Sequence, residues 1–115
     1  MLKVEYSPMA LEDLQIIRNY IAANWGENVA KRILKKITSD IKRLEKYPVS
    51  GLDLGKPIDV PTEYRYIFSE KNYVFYHLEF DKIRIIRVLN EHQDYINQLF
   101  EISSEADEDY RNDNE

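Results

Sequence analysis

The chain has 115 residues, 43% of them hydrophobic, which suffices for one compact core and makes a second domain unlikely on length alone. With no cysteine and two histidines it excludes a disulfide framework, a thiolate zinc site and a cysteine nucleophile, and neither a structural metal nor a cofactor is expected. The formal net charge of −5 hides an asymmetry, because residues 101–115 carry seven acidic side chains against Arg111 and leave residues 1–100 at +1.

In chain order, Leu2, Val4 and Tyr6 alternate with Lys3 and Glu5, the pattern of a half-buried strand. Ser7-Pro8 then offers a hydroxyl cap and a first-turn proline for a helix running to about residue 24. Ala10, Leu14, Ile17 and Ile21 form its buried stripe, with Asp13, Arg18 and Asn19 expected outside it. After Gly26 a second helix, about residues 27–46, repeats the pattern with Ala30, Ile33 or Leu34, Ile37, Ile41 and Leu44. Seven basic residues on that helix, among them Lys35, Lys36 and Arg43, make either an ordinary solvated face or a surface for an acidic partner or phosphates.

Residues 47–61 hold three of the four prolines and two of the three glycines and predict an irregular loop. Three strands follow, over residues 64–68, 73–80 and 82–89. They are joined by turns at 69–72 and at Asp81-Lys82, and a short amphipathic helix over 93–100 succeeds them. Residues 101–115 have too few apolar side chains to offset their ordering entropy, and read as an acidic flexible tail: a solvating segment, or a screen for basic surface. The predicted fold is therefore α+β, in the order β-α-α-β-β-β-α, with a helical hairpin packed on one face of a small, mostly antiparallel sheet.

No phosphate-cradling glycine loop, Gly-x-Ser-x-Gly elbow or His-Glu-x-x-His helix is present. Side chains able to carry chemistry are Arg65, His77, Arg84, Arg87, His92 and Tyr95. Arg65, between Tyr64 and Tyr66, suits either a stacked phosphate clamp or a cross-strand pair. His77 reads as a structural histidine within its strand. Arg87, among apolar neighbours, needs a buried partner or the uncovered face of the sheet. His92, in the exposed turn after the last strand, is of the residue type best suited to proton transfer.

Ser7-Pro8-x-Ala10-x-x-Asp13-Leu14, Leu44-Glu-Lys-Tyr-Pro48-Val-Ser-Gly51, Tyr64-Arg65, Tyr73-Val-Phe-Tyr76, Arg87-Val-Leu89 and Gln93-Asp94-Tyr95 occur in an order and spacing that resemble the RelE/ParE family of bacterial toxins. The resemblance covers residues 1–100. It implies a toxin of a type II toxin–antitoxin, or plasmid stabilisation, module, neutralised by a cognate antitoxin, for which Lys35, Lys36 and Arg43 are the expected docking residues. A homodimer is compatible with it. RelE-like members are ribosome-dependent mRNA endonucleases, and on that reading Arg65, His92 and Tyr95 would be catalytic, with Lys56 adding charge. ParE-like members bind DNA gyrase instead, and on that reading Arg87, Leu99 and Phe100 would contact the target. Val74 after Tyr73, and Glu91 in the turn, stand where a nuclease needs cations, which favours the gyrase-binding branch, although Asn90 replaces that branch's usual histidine. No segment reaches the ~18 apolar residues of a membrane span and the start lacks the pattern of a signal peptide, so a cytoplasmic location is expected.

Overall fold

The computed structural model describes residues 2–55 and 63–92. Strand β1 (Lys3–Tyr6) leads into helix α1 (Pro8–Trp25) and helix α2 (Glu27–Lys42), which tightens into a 3-10 turn (Arg43–Glu45). Four strands complete the fold: β2 (Leu52–Asp53), β3 (Arg65–Ser69), β4 (Asn72–Leu78) and β5 (Lys82–Asn90). They form one sheet in the order β1-β5-β4-β3-β2, antiparallel throughout except where β1 runs parallel to β5. The predicted α+β architecture is the one observed. Its expected last helix, with Tyr95, Leu99 and Phe100, lies outside the described residues, as do Lys56 and the acidic tail.

Local chemistry explains the boundaries. Ser7 caps α1, its hydroxyl accepting from the Ala10 N–H at 3.0 Å, with Pro8 at the first helical position where no N–H is missed. Gly26, at φ 96°, closes α1 and opens α2 in a conformation that L side chains rarely adopt. The helix predicted to residue 46 is α-helical only to Lys42, because the chain tightens to seat Leu44 in the core. The turn between β3 and β4 places Glu70 and Lys71 at φ 48° and 65°, a left-handed two-residue hairpin turn made without glycine. The last hairpin turns over residues 79–81, so that β4 ends two residues before the expected Phe80 and Lys82 already belongs to β5, and Glu79 N–H donates to Lys82 O at 2.9 Å.

Two apolar layers result from the strand alternation. Ala10, Leu14, Ile37, Ile41 and Leu44 pack from the helices on Val74, Tyr76, Ile83, Ile85 and Val88, forming the main core, with Ile67 against it. On the opposite face Leu54, Phe75 and Leu89 make a smaller cluster joined by Tyr64, Tyr66 and Tyr73. Each fully buried large side chain contributes roughly 1.5–3 kcal/mol, so the ten-residue core under the helices dominates stability.

Candidate functional site

A β-bulge organises the centre of the sheet. Phe75 pairs with Arg87 and Tyr76 with Ile85, so Ile86 is the extra residue on β5. The bulge falls where β1 ends at Tyr6 and leaves the outer edge of β5 unpaired by any strand. Side chains from the start of α1 complete that edge: Ser7 Oγ donates to Ile86 O at 2.8 Å and Asp13 Oδ2 accepts from Val88 N–H at 2.9 Å. The same Asp13 carboxylate takes Arg87 in a two-pronged pair, Nε to Oδ2 at 2.7 Å and Nη2 to Oδ1 at 2.9 Å. Both residues are under a tenth exposed.

This pair corrects two expectations. Asp13 does not lie outside the buried stripe of α1; it sits three residues after Ala10 and four before Ile17, on the same face, and that spacing is the signal for it in the sequence. Arg87, expected to meet a cellular target, is committed to the interior. Its charge takes the first of the two options open to it, a buried partner: beyond the end of β1 its guanidinium meets the Asp13 carboxylate of α1.

Arg65 is also bound to its own chain. Alternation puts Tyr64, Tyr66 and Phe68 on the open face and Arg65, with Ile67 and Ser69, on the helix side. There its Nη2 donates to Val49 O at 3.2 Å and Gly51 O at 2.8 Å, pinning the loop that leaves α2. The Tyr76 hydroxyl holds the same loop, donating to Pro48 O at 2.9 Å and accepting from Gly51 N–H at 3.0 Å. A side chain at position 51 would collide with that hydroxyl, hence the glycine.

His92 lies at the other end of the sheet. It is exposed, follows Glu91, whose N–H donates to Lys71 O at 3.0 Å, and holds Glu91 Oε1 at 3.5 Å. Arg65 faces Tyr76, which faces Ile85, and from Ile85 to Asn90 the strand runs about 17 Å at its ordinary rise per residue. Arg65 and His92 are thus on separate ends of the molecule, and the third member of that set, Tyr95, lies outside the described residues. Val74 is fully buried under the helices, so its position is a core site in this fold.

The face of the sheet away from the helices carries an aromatic array. Tyr66 and Tyr73 stand 5.7 Å apart edge to face, Phe68 and Tyr73 5.1 Å, and Tyr73 and Phe75 stack at 5.9 Å. At one end of the face His77 lies 5.9 Å from the Tyr64 ring and 3.6 Å from Glu79, which also meets Arg84; Arg84 and Lys82 share Glu5 at 2.9 and 3.2 Å. Cations and carboxylates balance there, so the cluster offers no net field for a phosphate.

The exposed side of α2 is different. Lys31, Arg32, Lys35, Lys36, Lys42 and Arg43 all project from the side opposite Ala30, Ile37 and Ile41. Asp40 compensates part of this charge, accepting from Lys36 at 2.6 Å and Ser69 Oγ at 2.6 Å, with Arg43 at 3.9 Å. Partial burial pushes the Asp40 carboxyl up, but the hydrogen bonds from Lys36 and Ser69, with the charges of Lys36 and Arg43, outweigh it and hold the group below its usual 3.8. Glu45 is held below its usual 4.5 by the Val4 N–H, 2.8 Å from Oε2, and then by Lys42. Among the described residues no group of three or more His, Asp or Glu is placed to hold a metal ion, and no helix is long and apolar enough to cross a membrane.

A helical hairpin on one face of a small, mostly antiparallel sheet is the fold of RelE/ParE-type toxins. The family model of the ParE toxin of type II toxin–antitoxin systems matches residues 4–95, and the chain belongs to that family. Among solved structures it is similar to the chromosomal ParDE toxin–antitoxin system from P. aeruginosa, at 20% identity and a TM-score of 0.67 over 78% of this chain and 96% of that one. It is also similar to the YoeB–YefM complex from Staphylococcus aureus, at 21% identity and 0.51 over 77% and 95%, and to the YoeB dimer from the same organism, at 20% and 0.51 over 80% and 98%. At these identities the likeness is one of fold. No curated protein sequence matches the chain.

Proposed function

We propose that this ParE-family toxin arrests growth by binding DNA gyrase, without cutting nucleic acid, and that a cognate antitoxin neutralises it. The observation that supports this reading is the separation of the nuclease set. RNA cleavage needs a proton-transfer group and a cation at one phosphate, whereas Arg65 is spent on the Val49 and Gly51 carbonyls at the far end of the sheet from His92. Leu99 and Phe100 remain the proposed target contacts. Arg87 leaves that set because Asp13 occupies its guanidinium. For the antitoxin, Lys35, Lys36 and Arg43 on the basic side of α2 are the proposed docking residues.

The test pairs a gyrase supercoiling assay with primer extension on mRNA in a translating extract, using the intact chain and His92→Gln. Loss of supercoiling with no new mRNA ends, unchanged by His92→Gln, is the expected result. Cuts in mRNA at ribosomal A-site codons, reduced about 10²–10⁴-fold by His92→Gln as for loss of a proton-transfer group, would establish a nuclease instead.

A further inference from the structure

The basic side of α2 has a candidate occupant within the same chain. Lys31, Arg32 and Lys35 make no ion pair with any described residue, and they continue into Lys42 and Arg43 along a ridge about 18 Å long at 1.5 Å per residue. Apart from Asp40 and Glu45, held at its C-terminal end, and Glu27, paired with Arg18 at its start, the ridge has no acidic residue to neutralise it. A charged face of one sign repels itself and draws the opposite charge. Residues 101–115 supply that charge: Glu101, Glu105, Asp107, Glu108, Asp109, Asp113 and Glu115, against Arg111 alone.

The fold puts the two within reach. Ser69 Oγ is bonded to Asp40 on α2, Ser69 faces Asn72, and Asn72 faces Asn90 at the end of β5. The C-terminal end of β5 therefore lies two strand spacings, about 10 Å, from the strand that touches the C-terminal part of the ridge at Asp40. Nine peptide steps separate His92 from Glu101 and span at most about 30 Å when extended. An acidic segment tethered at that distance has an effective concentration of order millimolar at the ridge, far above that of any free polyanion of similar charge density at micromolar level.

We infer that in the free protein residues 101–115 lie along the basic ridge of α2 as an electrostatic cover, so that an acidic partner must displace them to dock there. The inference goes beyond the toxin reading and stands whether the cellular target is gyrase or mRNA. The cover is held by charge and not by a packed interface, since the tail has few apolar side chains, and it must weaken as salt shortens the screening length.

Because the chain has no cysteine, Asp113→Cys gives a single site for a nitroxide label on the full-length protein. Paramagnetic broadening of backbone amide signals then reads where the tail lies. The expected result at about 0.1 M salt, with a screening length near 10 Å, is loss of intensity centred on Lys31–Arg43. It should vanish at about 1 M salt, where the length is near 3 Å, and in the Lys31→Gln/Lys35→Gln/Lys42→Gln variant, whose dispersed spectrum reports an intact fold. No broadening of α2 at the lower salt, or broadening centred on the aromatic face, would overturn the inference. So would α2 broadening seen only when labelled chains are mixed with isotope-enriched unlabelled ones, which would assign the tail to a neighbouring copy.

Discussion

Removing Asp13 tests the account of the sheet centre, because one carboxylate there satisfies three donors: Arg87 Nε, Arg87 Nη2 and the Val88 N–H. Asp13→Ala removes both Asp13 hydrogen bonds from the guanidinium of Arg87, a residue 9% exposed, and losing one partner of a buried pair costs about 3–5 kcal/mol. The buried Val88 N–H, left without the Asp13 acceptor, adds to this, so the loss is a large share of the roughly 5–15 kcal/mol that holds a domain of this size together. At about 4–8 °C per kcal/mol the midpoint of thermal unfolding should fall by at least about 12 °C. The double variant Asp13→Leu/Arg87→Met removes both charges and keeps the volume apolar; it should recover all but about 1–2 kcal/mol, the residue being the Val88 N–H left without its acceptor. Urea unfolding followed by circular dichroism gives all three free energies. A single variant within 1 kcal/mol of the parent, or a double variant no better than the single, would refute the reasoning. The same measurement interprets any loss of toxicity on changing Arg87, which here would report a damaged fold and not a lost target contact.

Tyr76→Phe should cost about 1–3 kcal/mol in the same assay, since the buried Gly51 N–H loses its acceptor, and Gly51→Ala should be at least as harmful because its methyl meets the Tyr76 hydroxyl. Lys71→Gly should stabilise by about 1 kcal/mol, relieving an L residue held at φ 65°; a loss of stability would show that the turn is not strained. Stability should also decline in acid. Glu45 and Asp40 have folded pKa values below their usual 4.5 and 3.8, so the stabilisation they give is present above those values and is lost as pH falls through the lower folded ones. Glu45→Gln with Asp40→Asn should flatten that limb of the pH–stability curve. Reversing Lys35, Lys36 and Arg43 to Glu should slow association with the antitoxin and weaken its salt dependence, and unchanged low-salt association kinetics would exclude α2 as the docking face.

Much of this was legible in the sequence, for identifiable reasons. The Ser7 cap, the stripes of both helices and the runs forming β3, β4 and β5 are local patterns of period 3.6 or 2, and they specify element type directly. What escaped was non-local. Parallel pairing of β1 with β5 joins residues about eighty positions apart, and the two-residue strand β2 exists only through its pairing to Tyr66 and Arg65. Alternation with Ile67 and Ser69 puts Arg65 on the helix side, but its acceptors there, the Val49 and Gly51 carbonyls, belong to an irregular loop that carries no periodic signal. Arg87 could not: the bulge after Ile85 breaks the alternation at that point, and nothing in the local sequence announces it. His77, read as a structural histidine within its strand, lies 3.6 Å from Glu79 and against the Tyr64 ring.

The placement of the carboxylates bears on how a partner can approach. An open strand edge invites a visiting strand, and on the β1 side of the described sheet there are two such stretches: the outer edge of β1, and β5 beyond the end of β1. Both are occupied by acidic side chains delivered from the helices, Glu45 on the Val4 N–H and Asp13 on the Val88 N–H, with the Ser7 hydroxyl taking Ile86 O. A strand added at either stretch would have to displace a charge-assisted hydrogen bond, and at β5 would also disturb the Asp13–Arg87 pair. Docking on side-chain surfaces avoids that cost. One such surface is the basic ridge of α2, which selects acidic partners over a long range. With the proposed target contacts Leu99 and Phe100 lying elsewhere in the chain, the Lys35/Lys36/Arg43 reversal should impair antitoxin association while leaving inhibition of the target intact.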